Sequence, residues 1–292
     1  MMRREIALSA GTIECEDSGG DGPVAVFLPG LLMDATLWSA VVTRLTPRLR
    51  CVVPTLPLGA HALPMRADAD LTLRGQARLV AELLDRLELE DVTLVGNDTG
   101  GAVVQLVAGD PELRRRVGRI VLVSCEAFDN VPPGLTGRTI VLTGRLPAPL
   151  FGLFMQQLRV KPLRRLPIAF GWLTKRGDTT VAGWLRPVLT QRAIRRDAVR
   201  VLRGVSAERR VLVDNAERLA TFDRPALVVW AAEDRVMPPA HGRRLADLLP
   251  AGELVEISDS YTLIALDQPA ALADELERFV SAPLRERVTG TG

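Results

Sequence analysis

Short apolar runs ending in turn residues recur along this chain: PVAVFLPG (23–30), RCVVPTLP (50–57), DVTLVG (91–96), RIVLVSC (119–125) and RPALVVWAAED (224–234). Runs this brief and this apolar read as strands buried on both faces. Helix-period segments lie between them, at 35–47, at 71–89 (LTLRGQARLVAELLDRLEL), after residue 99 and at 239–248. That alternation predicts an α/β protein built on a mostly parallel sheet with helices on both sides. Weak alternation over 4–16 followed by DSGGDG predicts an opening hairpin, and ELVEIS (253–258) with a helix at 269–281 closes the pattern.

The alternation stops between about 128 and 207. This stretch is rich in proline and arginine and offers amphipathic fragments, LFGLFMQQL and VAGWLRPVL, but no strand. The expected organisation is therefore a core formed by 1–127 and 208–292, with 128–207 as a helical cap inserted after the sixth strand. The terminal VTGTG is expected to fray.

A chain of 292 residues can bury a substantial core. Its net charge of +2 gives no electrostatic reason to expect nucleic acid or a membrane as partner. A small molecule is the expected partner, and the sequence leaves the oligomeric state open. Cys15, Cys51 and Cys125 lack metal-type spacing, so reduced thiols are expected, with no metal and no cofactor. No apolar run reaches the roughly 18 residues of a membrane span, and MMRREIALSAGTIECEDSGG lacks the apolar centre of a signal peptide. A cytoplasmic location is expected.

In open α/β sheets ligands bind beyond the carboxyl ends of the strands. The residues there are Pro29-Gly30-Leu31, the loop carrying His61, Asp98-Thr99, Glu126 with Asp129, Glu233-Asp234 and the stretch from Ser258 to Ile264. The most distinctive is VGNDTGG (95–101), a strand, a G-x-D-x-G turn and a helix start. Its glycines suit a strained turn in which flanking side chains would clash. Asp98 at the tip reads as a reactive carboxylate or as a cap on the following helix, whose N–H groups favour its charged form.

The order of elements and VGNDTGG resemble the α/β-hydrolase superfamily over nearly the whole chain, with VGNDTGG at the nucleophile elbow. The aspartate form of the elbow is similar to haloalkane dehalogenases and epoxide hydrolases. In those families the carboxylate attacks carbon and a histidine-activated water cleaves the ester. The resemblance implies Asp98 as nucleophile, with the N–H groups of Thr99 and Leu31 as oxyanion donors. Trp38 matches a family tryptophan near the substrate, or else packs in the core. The supporting acid is Asp234, after ALVVWA, with Glu126, after VLVSC, as the alternative.

The family's Gly-His pair falls, counting back from Pro269 in SDSYTLIALDQP, on Tyr261-Thr262. Thr262 thus stands at the base position, where neither Thr nor Tyr is a base near neutral pH. His61 is the candidate replacement, and His241, in AHGRRLADLL, reads as structural. Thr99 stands where dehalogenases carry a halide-binding tryptophan, and the only tyrosine, Tyr261, lies outside the cap where epoxide hydrolases place theirs. Three readings follow. One is an Asp-nucleophile hydrolase of a small apolar haloalkane, epoxide or ester-like substrate. Another is a non-hydrolytic acid/base enzyme for cyclisation, elimination or isomerisation, using Asp98 with Glu126 or Tyr261. The third is a ligand-binding pseudoenzyme.

Overall fold

A computed structural model describes residues 1–282; the VTGTG stretch lies outside them. Eight strands form one sheet: β1 (Met2–Leu8), β2 (Gly11–Asp17), β3 (Val24–Leu28), β4 (Arg50–Pro54), β5 (Val92–Asp98), β6 (Val117–Cys125), β7 (Ala226–Ala231) and β8 (Gly252–Ile257). Their spatial order is β1-β2-β4-β3-β5-β6-β7-β8. The β1–β2 and β2–β4 pairings are antiparallel and all others parallel. Every residue of β5, β6 and β7 is buried, which is why those runs show no polar alternation.

Helices α1 (Ser39–Leu45), α2 (Leu73–Arg86) and α3 (Thr99–Ala108) connect the first strands. Between β6 and β7 the chain forms α4 (Gly134–Thr143), α5 (Ala148–Gln156), α6 (Lys161–Arg164), α7 (Asp178–Trp184), α8 (Arg186–Thr190), α9 (Arg192–Ala207) and α10 (Val211–Leu219), and no strand. Then come α11 (Pro239–Leu248), α12 (Ile264–Asp267) and α13 (Pro269–Ser281). The segment expected as one helix over 35–47 is divided: Ala35–Trp38 is a 3₁₀ turn leading into α1. Asp34 accepts the Thr36 N–H and so fixes a tight first turn. The helix expected over 71–89 is shorter, because Thr72 caps it through the Gly75 N–H and Glu88 turns left-handed at its end.

α10 lies on the core beside α3, where Asn215 donates to the Gln105 carbonyl at 2.8 Å. The helices α4–α9 cover the carboxyl ends of the central strands and are tied down by buried polar contacts. Asp197 of α9 accepts the Met65 N–H at 2.8 Å, and Trp184 of α7 donates to the Thr36 hydroxyl at 2.8 Å. Asp267 of α12 accepts from the Thr174 hydroxyl at 2.7 Å and from the Lys175 and Tyr261 N–H groups at 3.0 Å. Among the described residues no helix is long and apolar enough to cross a membrane.

The central helix packs on the sheet at glycine distance. A methyl group at Gly101 would overlap the Cys125 side chain, and one at Gly96 would overlap the backbone of Gly100. Gly101→Ala should therefore push α3 away from β6 and destabilise the protein by about 1–3 kcal/mol. Urea unfolding checks this, and an unchanged midpoint would show that the contact yields freely.

Candidate active site

β5 runs straight into Asp98, whose backbone sits at φ 53°, ψ −129°. This conformation is strained for any residue with a side chain. The turn is held because Gly96, Gly100 and Gly101 let strand, turn and helix approach without side chains between them. Gly30, at the start of the loop after β3, does the same from the other side: a methyl there would overlap the Asp98 carboxylate. That closeness lets the Leu31 N–H donate to Asp98 Oδ2 at 3.1 Å. The Thr99 N–H, next along the chain at the start of α3, adds to the pull that lowers the proton affinity of the carboxylate. Asp98 is thus gripped by one backbone donor, the Leu31 N–H, with a second close by.

A second carboxyl group stands beside it. Glu126 follows β6 and is 3% exposed. The Thr99 hydroxyl donates to Glu126 Oε1 at 2.8 Å, while Oε2 is buried without a hydrogen-bond partner. Gln105, one α3 turn beyond Gly101, fixes this loop by donating to the Glu126 carbonyl at 2.6 Å. Asp98, Thr99 and Glu126 all open into one cavity of about 260 Å³. Its remaining walls are mostly apolar, with Leu31 and Leu32 from the core and Ile140, Phe154, Leu158 and Phe170 from the helices above.

Burial pushes the Asp98 carboxyl up to about 6, against the pull of the Thr99 and Leu31 N–H groups, and the negative field of Asp234 adds to the rise. Burial, reinforced by the Asp98 charge, pushes Glu126 well above the ordinary carboxylate range. Two carboxyl groups in one dry cavity cannot both ionise cheaply. Their mutual repulsion favours keeping a proton on the pair, and burial raises the proton affinity of both carboxyl groups.

The acid loop lies behind this pair. Asp234 Oδ1 accepts from the Val236 N–H at 2.9 Å, the Met237 N–H at 2.8 Å and the Thr262 hydroxyl at 2.8 Å. Burial raises its carboxyl to about 6. Thr262 is fully buried, and its hydroxyl, bonded to Asp234, cannot take up a proton near neutral pH. Neither Asp234 nor Thr262 borders the cavity.

The other residues singled out by sequence lie elsewhere. His61 is buried, its Nδ1 accepts the Gly59 N–H at 3.2 Å, and its Nε2 faces Asp197 Oδ2 at 3.6 Å. It does not border the cavity, so its ring serves the junction between a core loop and α9, away from the carboxyl pair. Trp38 is fully buried against Phe27, ring centres 5.3 Å apart, and also lies off the cavity. Tyr261 lies between the charges of Lys175 and Arg235, at 5.1 and 4.7 Å from its ring centre. His241 stacks edge-on against Phe128. Sequence reasoning missed Asp197, Asn97 and Gln105. Asn97 donates from one amide nitrogen to the carbonyls of Val123, Ser124 and Thr262. Its place inside the G-x-D-x-G frame was the one available signal; nothing in the sequence marks Asp197.

A buried ionised carboxylate weakens the fold, and the sign follows from the raised pKa of Asp98. Its contribution is fully favourable below the unfolded value and is lost as pH rises through about 6. Asp98→Asn should therefore stabilise the protein by about 1–3 kcal/mol at pH 8, with the gain shrinking towards pH 4. Thermal melts of both proteins across that range check it; a variant less stable at pH 8 would contradict it.

Residues 25–275 match the model of the alpha/beta hydrolase family. An uncharacterized protein of Mycobacterium bovis is 27% identical over 271 residues, covering 89% of this chain and 76% of that protein. Haloalkane dehalogenase 2 of the same organism is 26% identical over 275 residues, covering 93% and 92%. A thermophilic esterase from Thermogutta terrifontis superposes with a TM-score of 0.72 at 20% identity, covering 96% and 98%. With most of its length matched, the eight-stranded sheet in the family's order and a carboxylate at the strand–turn–helix elbow, this chain belongs to the alpha/beta hydrolase family, among its hydrolase-like enzymes.

Proposed function

We propose that this protein hydrolyses a small apolar electrophile through an ester on Asp98, with Glu126 serving as acid and then as base in the absence of a histidine. The observation that carries the reading is the carboxyl pair: Asp98, one oxygen held by the Leu31 N–H, and Glu126 share an otherwise mostly apolar cavity. The oxygen not held by Leu31 attacks carbon. An epoxide C–O bond breaks, and its oxygen takes the proton of Glu126. Glu126, now ionised and desolvated, is a stronger base than an ordinary carboxylate. It takes a proton from water, whose oxygen adds to the Asp98 carbonyl carbon. The Leu31 and Thr99 N–H groups hold the oxyanion, and its collapse expels the alkoxide. The alkoxide takes one of the two protons then on the carboxyl pair and leaves as the diol, and the other proton restores the starting state.

This scheme favours leaving groups that need a proton. A halide leaves without one, so Glu126 would stay protonated and no base would remain to cleave the ester. Epoxides and other oxygen-leaving electrophiles are therefore the preferred substrates over haloalkanes. Mass spectrometry of the intact protein should show a persistent alkyl adduct on Asp98 after incubation with small bromoalkanes, and turnover without an adduct for small apolar epoxides. Equal turnover of both would remove Glu126 from the base role.

The same pair would suit proton transfer without a covalent ester, as in an isomerisation, and a single turnover in ¹⁸O-water separates the two. The nucleophilic route places the label in the Asp98 peptide; label in the product alone, or in neither, sinks it. The rate should rise with pH through about 6 as Asp98 ionises, and fall where Glu126 loses its proton, well above the ordinary carboxylate range. Glu126→Gln should abolish the alkaline limb and cost about 10²–10⁴ in turnover.

A further inference from the structure

The charge of the chain is segregated. Residues 130–177 carry eight Lys and Arg and not one Asp or Glu, within a chain whose net charge is only +2. Arg164 pairs with Asp178, Lys175 with Glu233 and Asp259, and Arg176 with Asp259, which leaves Arg138, Arg145, Arg159, Lys161 and Arg165 as the exposed excess. The same stretch gathers the exposed apolar surface. Apart from Met1 and Met2, every large apolar side chain left exposed among the described residues lies between Leu135 and Ile168, with Leu142 at 58% and Leu153 at 63%. Leu135, Arg138 and Leu142 share one face of α4, and Arg145 follows its end. Leu150 and Leu153 share the outer face of α5, and the exposed Arg159, Lys161 and Arg165 follow. This face is continuous with the candidate site, because Leu163, Leu166 and Ile168 are exposed and also line the cavity that holds Asp98 and Glu126.

We propose that the outer face of α4–α6 seats on an anionic lipid surface and that apolar substrate enters the cavity from the lipid. Leucines interspersed with arginines and lysines on short helices suit the headgroup boundary: the apolar side chains enter it while the cations stay with the phosphates. The exposed apolar side chains are aliphatic, so they give nucleic-acid bases no stacking platform. A second copy meeting this face symmetrically would set cations against cations. The whole-chain charge, which gave no reason to expect a membrane, conceals the local excess. This inference does not depend on the chemistry assigned to Asp98.

The test is co-sedimentation of the full chain with vesicles, either phosphatidylcholine alone or phosphatidylcholine mixed with phosphatidylglycerol, in about 0.1 M salt, where the screening length is about 10 Å. The expected result is binding to the mixed vesicles and not to phosphatidylcholine alone. The triple variant Arg138→Glu, Arg145→Glu, Lys161→Glu should lower the bound fraction at least about tenfold. Leu142→Ser with Leu153→Ser should weaken it several-fold with charge unchanged. These residues are exposed, so unchanged melting curves establish that each variant is folded. The proposal is overturned if mixed vesicles do not retain the wild type, or if the charge-reversed variant binds as well. It is also overturned if sedimentation velocity shows a dimer that the leucine substitutions dissolve while vesicle binding stays absent.

Discussion

The hydrogen bond from the Leu31 N–H to the Asp98 carboxylate sets the rest of this structure. It requires a carboxylate in a dry place, on a residue whose backbone is itself strained at about 1–3 kcal/mol. Both demands oppose folding. They are met because β5, which delivers Asp98, is buried along its whole length between β3 and β6. The glycines at 30, 96, 100 and 101 are the local form of the same constraint: each marks a place where backbone must come close enough to grip or shape the turn.

In the proposed scheme, Thr262 bonded to Asp234 keeps the shape of the acid loop and supplies no proton acceptor near neutral pH. The proposed consequence is that the task moves to the carboxyl group that faces the cavity. Glu126 is suited to it by position, since it borders the space that Asp98 borders. It is also suited by environment, since desolvation and the Asp98 charge raise its proton affinity well above the ordinary carboxylate range. The paired carboxyl groups would divide acid and base roles between them because their surroundings push their proton affinities apart.

The fold was legible because strand burial and helix amphipathicity leave periodic marks that survive without any tertiary information. The sheet strands, the elbow and the strand-free stretch before β7 all follow from such marks. The turn at Asp98 was legible for a different reason, since only glycine permits so tight a passage. The site beyond it was less so. His61 could not be placed from sequence, because the direction of its ring is set by Asp197 on a distant helix. Asp234 was expected ahead of Glu126 as the supporting acid, and the opening of Glu126 to the cavity and the bond of Asp234 to Thr262 leave no mark in the sequence. The basic, leucine-studded face was hidden by averaging charge over the chain.

Asn97 gives the frame a further property. Its amide reaches the carbonyl of Thr262 as well as those of Val123 and Ser124, so main chain fixes the place of residue 262 beside the elbow. The address of that position is written in backbone, independent of the side chain that occupies it. An exchange of residue there alters the reagent and leaves the scaffold in register, so the reaction in such a fold can drift while its architecture stands still.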